Sequence, residues 1–228
     1  YVNFQYSGKL EYLFKTESDI SNAFNDYLTL NEHESFIDIG AYRGDTVEQF
    51  LSFTDGKYDN ILAVEPDSKT YKKLVENCKA LKNFEAINGA VSAIDGTVEF
   101  SNAAGRQSTI GSGTEIPAFT LQKLAEVFTP TYIKIDAEGA EIDILTGGKK
   151  IISEFKPKMK IATYHKNSDI FEIPILLNEL NENYKIYMCH HPYIPAWDTD
   201  FYCIWGEKYG RNQKPYFEWR RYTHKNFY

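Results

Sequence analysis

Three short apolar runs in this chain carry an acid at or near their ends. The first is Phe36-Ile-Asp-Ile-Gly-Ala-Tyr-Arg-Gly-Asp-Thr46, in which Asp38 precedes Gly40, Ala41, Gly44 and Thr46. Two glycines at such a turn let the backbone bend tightly and approach a ligand closely before a helix opens. A dinucleotide loop would space its glycines G-x-G-x-x-G to seat a pyrophosphate. Here the spacing is G-x-x-x-G behind an acid, which suits a ligand with an amino-acid end and no phosphate. Its ammonium would meet Asp38, and its carboxylate would meet backbone N–H groups. Plain structural use of the two glycines is an equal alternative.

The second run, Ile61-Leu-Ala-Val-Glu65, is followed by Pro66 and Asp67. An acid at the end of a second strand can accept both hydroxyls of a ribose. Asn88-Gly-Ala-Val-Ser92 follows the third run, and its small residues Gly89 and Ala90 would let an adenine lie against the backbone. A simple turn reads the same way. The third acid-ended run, Tyr132-Ile-Lys-Ile-Asp136, leads to Glu138. Asp136 and Glu138 after a fourth core strand and His165 after a fifth can converge from adjacent strands, since the carboxyl ends of parallel strands are where reacting groups gather. His165, with an ordinary pKa near ~6.5, is suited to accept a proton. Glu141 reads more simply as a carboxylate favoured by a helix N-terminus. His190 and His191 would point to opposite sides of a strand. With Asp136, His165 and Asp198, one of them could complete a divalent metal site of mixed ligands, although no compact ligand spacing favours it.

The elements that must position these residues alternate. Strands are expected at 35–40, 61–65, 84–89, 97–101, 132–136, 160–164, 185–189 and 201–205. Helices are expected at 46–53, 68–81, 121–127, 140–155 (weakened at Gly147-Gly148) and 170–180. Strand–helix alternation marks a parallel sheet covered on both faces. The last two strands, separated by Pro192 and Pro195, read as an antiparallel pair. Residues 1–34 carry a helical pattern that would cap the sheet, 35–206 form the core, and 207–228 are basic and aromatic, with Tyr216, Phe217 and Trp219. That tail reads as a docking arm or connector before it reads as a surface for an anionic partner.

With 228 residues, the chain is long enough for one sizeable α/β domain. A net charge of −7 argues against general nucleic-acid binding. No apolar run approaches the roughly 20 residues of a membrane span. Nothing at the start resembles a signal peptide. Three cysteines are too few for a zinc site or a disulfide framework, so the expected setting is reducing and cytoplasmic. Cys189 and Cys203 could face each other across the hairpin. The chain begins without Met, which points to a piece of a longer protein with neighbouring domains.

Three stretches together resemble the FkbM family of methyltransferases. They are Phe36-Ile-Asp-Ile-Gly-Ala with Gly44, Ala63-Val-Glu-Pro-Asp67, and Tyr132-Ile-Lys-Ile-Asp-Ala-Glu-Gly-Ala-Glu141. The third is the most specific, since strand-Asp-x-Glu-Gly-x-Glu before an amphipathic helix is that family's hallmark. His190-His191 and Asp198-Thr199 also match its ending, and the resemblance covers about residues 34–206. The family pattern has Asn where this chain has Tyr42. The resemblance implies a Rossmann-like class I methyltransferase fold, with a seven-stranded, mostly parallel sheet, an antiparallel final strand and helices on both faces. It also implies S-adenosylmethionine as cofactor and methyl transfer to oxygen, with a sugar hydroxyl of a polysaccharide or glycosylated natural product as acceptor. Asp38, Gly40 and Gly44 would then line the methionine end and Glu65 the ribose, with Asp136 and Glu138 at the mouth. Such a transfer is an in-line displacement, and a hydroxyl acceptor needs a base, for which His165, Asp136 and Glu138 are the candidates. The competing readings are an N-methyltransferase of an amino sugar and a catalytically silent module of the same fold.

Overall fold

The chain is described by a computed structural model for residues 2–14, 17–101, 109–110, 113–192 and 198–206. Its tail from 207 onward, and Pro195, lie outside the described residues. Short helices α1 (Val2–Ser7), α2 (Glu11–Phe14) and α3 (Ile20–Ala23) come first. The carboxylate of Asp19 caps α3 by accepting from the Asn22 N–H, and a π-helical turn, Phe24–Leu28, extends it. The core follows as β1 (Ser35–Ile39), α4 (Asp45–Phe53), β2 (Asn60–Glu65), α5 (Ser68–Cys78) and β3 (Phe84–Asn88). Then come β4 (Ala90–Val91), β5 (Gly96–Ser101), β6 (Thr109–Ile110), β7 (Thr114–Phe119), α6 (Leu121–Leu124) and β8 (Tyr132–Ile135). The last elements are α7 (Glu141–Gly147), α8 (Lys149–Phe155), β9 (Lys158–Ala162), α9 (Asp169–Leu180), β10 (Tyr184–His190) and β11 (Thr199–Trp205).

Seven strands form one sheet in the order β10-β11-β9-β8-β1-β2-β3, in which only β11 runs antiparallel to its neighbours. Strand alternation divides the core between its two faces. Ile37, Ile39, Leu62, Val64, Ile133 and Ile135 pack under helices α6 to α9, with Leu121, Ile144, Leu145 and Leu177. Phe36, Ile61, Ala63 and Tyr132 face the other way, under α4, α5 and the N-terminal segment, with Phe24, Leu28, Val47 and Leu74. Rings of Phe36 and Tyr132 stack across β1 and β8 with centroids 4.7 Å apart. The N-terminal segment is also tied to the sheet edge, since the Ser18 N–H donates to the carbonyl of His190 at 2.7 Å.

Several expected elements differ. The run at 97–101 is not part of the large sheet: β5 joins β4, β7 and β6 in a separate four-stranded sheet, and β7 was not anticipated. Pro117 lies within β7, and a proline there weakens the strand signal. The helix expected over 140–155 breaks at Gly148 into α7 and α8. The helices at 68–81 and 121–127 stop at Cys78 and Leu124. Strand β9 spans 158–162 in place of 160–164, so His165 sits in the loop beyond it. Cys189 lies opposite Asp200 and Cys203 opposite Ile186, so the two do not face each other, and all three cysteines are free and buried.

Candidate active site

Strand β1 lies between β2 and β8, and the chain winds outward from it in both directions. The loops at residues 40–44 and 136–140 leave the carboxyl ends of β1 and β8 at this switch point, where open α/β sheets have their ligand crevice. Gly40 is where the two backbones nearly touch. It has φ +75°, and a Cβ there would lie 1.9 Å from the carbonyl oxygen of Asp136. Only glycine fits there, for the sake of the fold itself. Gly44 (φ +91°) precedes α4 and lets it close on Leu74 and Cys78 of α5, while Ala41 is fully buried.

Asp38 and Lys134 are register partners on β1 and β8 and share a face of the sheet. Asp38 is wholly buried; one oxygen accepts from the Thr46 hydroxyl and the other lies 3.3 Å from Lys134 Nζ. The ammonium also donates to the carbonyls of Gly40 (2.7 Å) and Ile39 (3.3 Å) and lies 3.7 Å from Asp136. Lys134 thus places a cation of the protein's own against Asp38, while Asp38 Oδ1 keeps no hydrogen-bond partner. Burial pushes the Asp38 carboxyl above its usual value despite Lys134 and Thr46. For Lys134, burial acts to lower the pKa, but Asp38 and Asp136 outweigh it and hold the ammonium charged.

Glu65 closes β2 in a buried position, with Oε2 accepting from the Tyr42 N–H and Oε1 from the Asp67 N–H, both at 2.9 Å. Burial pushes its pKa up to about 7. Each oxygen retains a second lone pair for a further donor. Tyr42 has φ +48°, in the left-handed region that Asn enters more readily than Tyr, which gives a physical reason for Asn in the family pattern. Pro66 is half-buried, and its carbonyl, with that of Glu65, accepts from the Asn88 side chain. Asp67 caps α5, its carboxylate accepting from the Thr70 N–H at 2.8 Å. Gly89 donates its N–H to the Glu65 carbonyl at 3.2 Å, and Ala90 beside it is buried.

Asp136, Glu138 and His165 do come together. His165 Nε2 lies 3.4 Å from a carboxylate oxygen of Asp136 and 3.4 Å from one of Glu138. The ring's other nitrogen, Nδ1, is 2.8 Å from Oε1 of Glu141, a fully buried side chain that reading it as a helix-end charge does not explain. Tyr164 donates its hydroxyl to Asp136 at 3.2 Å. Burial acts to raise the Asp136 carboxyl, but Lys134 and His165 outweigh it and hold the group below the usual range. Burial likewise acts to lower the His165 pKa, and Glu141, Asp136 and Glu138 together turn the shift upward.

His190 and His191 go elsewhere. His190 pairs with the Thr199 hydroxyl at 3.0 Å, while buried His191 pairs with the Ser18 carbonyl (2.9 Å) and the Tyr202 hydroxyl (2.8 Å). Asp198 leads into β11 with φ +61°. Lys160 forms a buried pair with Asp200 at 3.0 Å. The mixed metal set imagined with these histidines is not assembled. Asp136, Glu141 and His165 do offer ligand-type atoms within 4.8 Å of one another, but Glu141 and His165 already engage each other. An open groove of about 660 Å³ between Glu32, Lys57 and Asn83 lies at the other end of the sheet and touches none of these residues.

The strand order, the switch point beside β1 and the acids at its edge define the class: a Rossmann-like methyltransferase fold. Residues 38–187 match the methyltransferase FkbM domain, about two thirds of the chain, and the protein belongs to that family of enzymes. Its structure resembles the methyltransferase FkbM of Methylobacillus flagellatus KT with a TM-score of 0.72 at 23% identity. That match covers 88% of this chain and 52% of the other, so the chain spans about half the length of that relative. A precorrin-6y C5,15-methyltransferase from Geobacter metallireducens GS-15 matches at TM-score 0.51 and 12% identity, over 82% of this chain and 86% of its own. An rRNA methylase from Streptococcus thermophilus matches at 0.50 and 11%, over 78% and 90%. These likenesses concern the fold. No curated protein matches the chain significantly in sequence. Among the described residues no helix is long and apolar enough to cross a membrane.

Proposed function

We propose that this enzyme moves the methyl group of S-adenosylmethionine to a hydroxyl oxygen, with a saccharide as acceptor. One observation carries the reading: His165 Nε2, buried and without a hydrogen-bond partner, stands between Asp136 and Glu138 at the crevice. A hydroxyl is a weak nucleophile, and a histidine nitrogen placed among carboxylates is suited to take its proton. An amine acceptor, once neutral, has less need of such a base, and a silent module would have no use for one.

The residues present fit the cofactor in part. Glu65 has spare lone pairs for the ribose hydroxyls, and Pro66 and Asp67 shape the turn that holds it. Gly89 and Ala90 are read as the adenine side of the site, with the Phe119 ring and the Pro117 carbonyl packed against Gly89. Ala41, Gly44 and Thr46 shape the loop for the methionine end. Asp38, paired with Lys134 and Thr46, keeps one carboxylate oxygen without a hydrogen bond, so Asp38 and Asp136 are the acids offered to a ligand ammonium. The cofactor supplies a methyl group activated by its sulfonium. The chain's own residues supply position: the crevice aligns an acceptor oxygen, Glu138 and Asp136 accept from neighbouring hydroxyls, and His165 takes the proton. A carboxylate-rich mouth favours a polyhydroxylated acceptor and repels phosphate, which supports a saccharide over a nucleic acid. In this reading residues 35–206 are the catalytic core, 1–34 a cap and 207–228 a connector, in a cytoplasmic setting.

Calorimetry with S-adenosylmethionine tests the first half, and a mass shift of +14 Da (about one CH₂,) on a panel of glycans tests the second. His165→Ala is expected to lower kcat by roughly 10²–10⁴-fold with cofactor affinity nearly constant. A folded protein that does not bind S-adenosylmethionine would sink the proposal. A chelator that abolishes transfer would replace the histidine base with a metal.

A further inference from the structure

The reading above gives His165 a task but not the means of doing it, and the fully buried Glu141 is the residue that stands behind the ring. Its Oε1 accepts from the Ala137 N–H (2.9 Å), from the Gly139 N–H (3.4 Å) and faces His165 Nδ1 at 2.8 Å. One carboxylate oxygen thus anchors both the loop that carries Asp136 and Glu138 and the imidazole that meets them. An ionised carboxylate can only accept, so Nδ1 must carry a hydrogen. In the neutral ring the lone pair is then on Nε2, the nitrogen that faces the Asp136 and Glu138 carboxylates. His165 keeps only 9% of its side-chain surface exposed, and its Nε2 has no hydrogen-bond partner.

We propose that Glu141 is a positioning residue, which fixes the His165 tautomer and orientation so that Nε2 faces the acceptor hydroxyl. The inference rests on the hydroxyl-methylation reading for its purpose, but not for its geometry. As the acceptor oxygen bonds to the methyl carbon, Nε2 takes the proton that the hydroxyl sheds, and the C–S electron pair stays on sulfur. The positive charge that leaves sulfur thereby reappears on the imidazole, where Glu141 balances it. The remaining charges that face the ring are Asp136 and Glu138 from the loop after β8 and Asp169 from α9, with Lys166 beside Asp169. Lys134 and Lys160 lie behind Asp136. Glu141 is held below the usual carboxylate range: burial acts to raise it, and His165 and backbone donors outweigh that.

A purely structural Glu141 would knit the loop to α7 and leave the chemistry of the ring untouched. The test is ¹⁵N NMR of the imidazole in the cofactor-free protein, so a failure here is separate from failure to bind S-adenosylmethionine. Above its titration midpoint, His165 is expected to carry its proton on Nδ1. In Glu141→Gln the amide oxygen still meets the two backbone N–H groups, so the ring is expected to keep its place while losing its counter-charge. Its midpoint should then fall by about 1–3 pH units. In Glu141→Ala the tautomer should become mixed. A wild-type ring protonated on Nε2, or a folded Glu141→Gln whose midpoint does not move, would overturn the proposal. Should neither variant fold, the wild-type tautomer alone decides it.

Discussion

Lys134→Met removes the ammonium that separates two carboxylates while keeping a side chain of similar length. Lys134 keeps 4% of its side-chain surface exposed and Asp38 none, so the pair is shielded from solvent and no water replaces the lost cation. Breaking a buried pair by removing one partner costs about 3–5 kcal/mol. The sign of the pH dependence follows from the two acids. The folded-state pKa of Asp38 lies above its ordinary value, so the folded state holds a proton over a window that starts near ~3.9, and stability falls as pH rises through it. Loss of Lys134 extends that window upward. Asp136 is held low, with Lys134 the largest of the groups lowering it, so it contributes stability above its unfolded value and loses it as pH falls. Without Lys134 that contribution shrinks at neutral pH. Both acids therefore make the variant's deficit larger at high pH. Urea denaturation should show a loss of about 3–5 kcal/mol at pH 8. Near pH 4.5 it should shrink to about 1–2 kcal/mol, the cost of leaving the Gly40 and Ile39 carbonyls without their donor. An equal loss at both pH values, or a loss under about 1 kcal/mol at pH 8, would refute the account of Lys134 as the counter-charge.

Gly40→Ala should destabilise the fold by about 2–5 kcal/mol in the same assay, since its Cβ meets the Asp136 carbonyl and its φ is left-handed. Wild-type stability in that variant would show that the two strand ends can part freely. Glu65→Ala should weaken S-adenosylmethionine binding by roughly 1.5–3 kcal/mol by calorimetry. Because burial holds Glu65 near a pKa of about 7 and its ionised form is the better acceptor, wild-type affinity should rise from pH 6 to pH 8. A flat profile would remove Glu65 from the ribose. Asp67→Ala should cost about 1 kcal/mol of stability, as the loss of a helix cap does, with cofactor affinity changed less than about threefold. A large affinity loss would make Asp67 a ligand contact.

The centre of the large sheet was legible because β1, β2, β8 and β9 are buried runs with a small or acidic residue at or just after their ends. The second sheet was not: β4 and β6 are two residues each, and β7 carries a proline and three half-exposed or exposed positions before its buried end. Asp136, Glu138 and His165 could be brought together from strand order alone, because adjacent parallel strands end at one edge. Glu141 could not, since spacing says nothing about a side chain turning back under its own loop. Lys134 was missed although a signal existed. Phe36-Ile-Asp-Ile and Tyr132-Ile-Lys-Ile are the same pattern with opposite charges, and in the structure they lie side by side, Phe36 on Tyr132 and Asp38 on Lys134. A charged residue in a strand buried on both faces needs a partner of opposite sign on the same face. Two matching strands that carry one of each sign therefore predict their own pairing.

That pairing also bears on how so much negative charge survives at one edge of the sheet. Asp38, Asp136, Glu138 and Glu141 lie within a few residues of the crevice, and like charges brought together out of water repel strongly. Lys134 sits between Asp38 and Asp136, and His165 between Asp136, Glu138 and Glu141, so each carboxylate faces one of two cations when the ring is protonated. With the ring neutral the cluster carries one uncompensated negative charge more. Under the proposed reaction the neutral ring is the state that meets the sulfonium, and the protonated ring is the state left with an uncharged thioether. The summed charge of cluster and cofactor is then the same before and after transfer. A site built on this principle should bind a cationic sulfonium best when His165 is neutral and release the neutral product most easily when it is protonated.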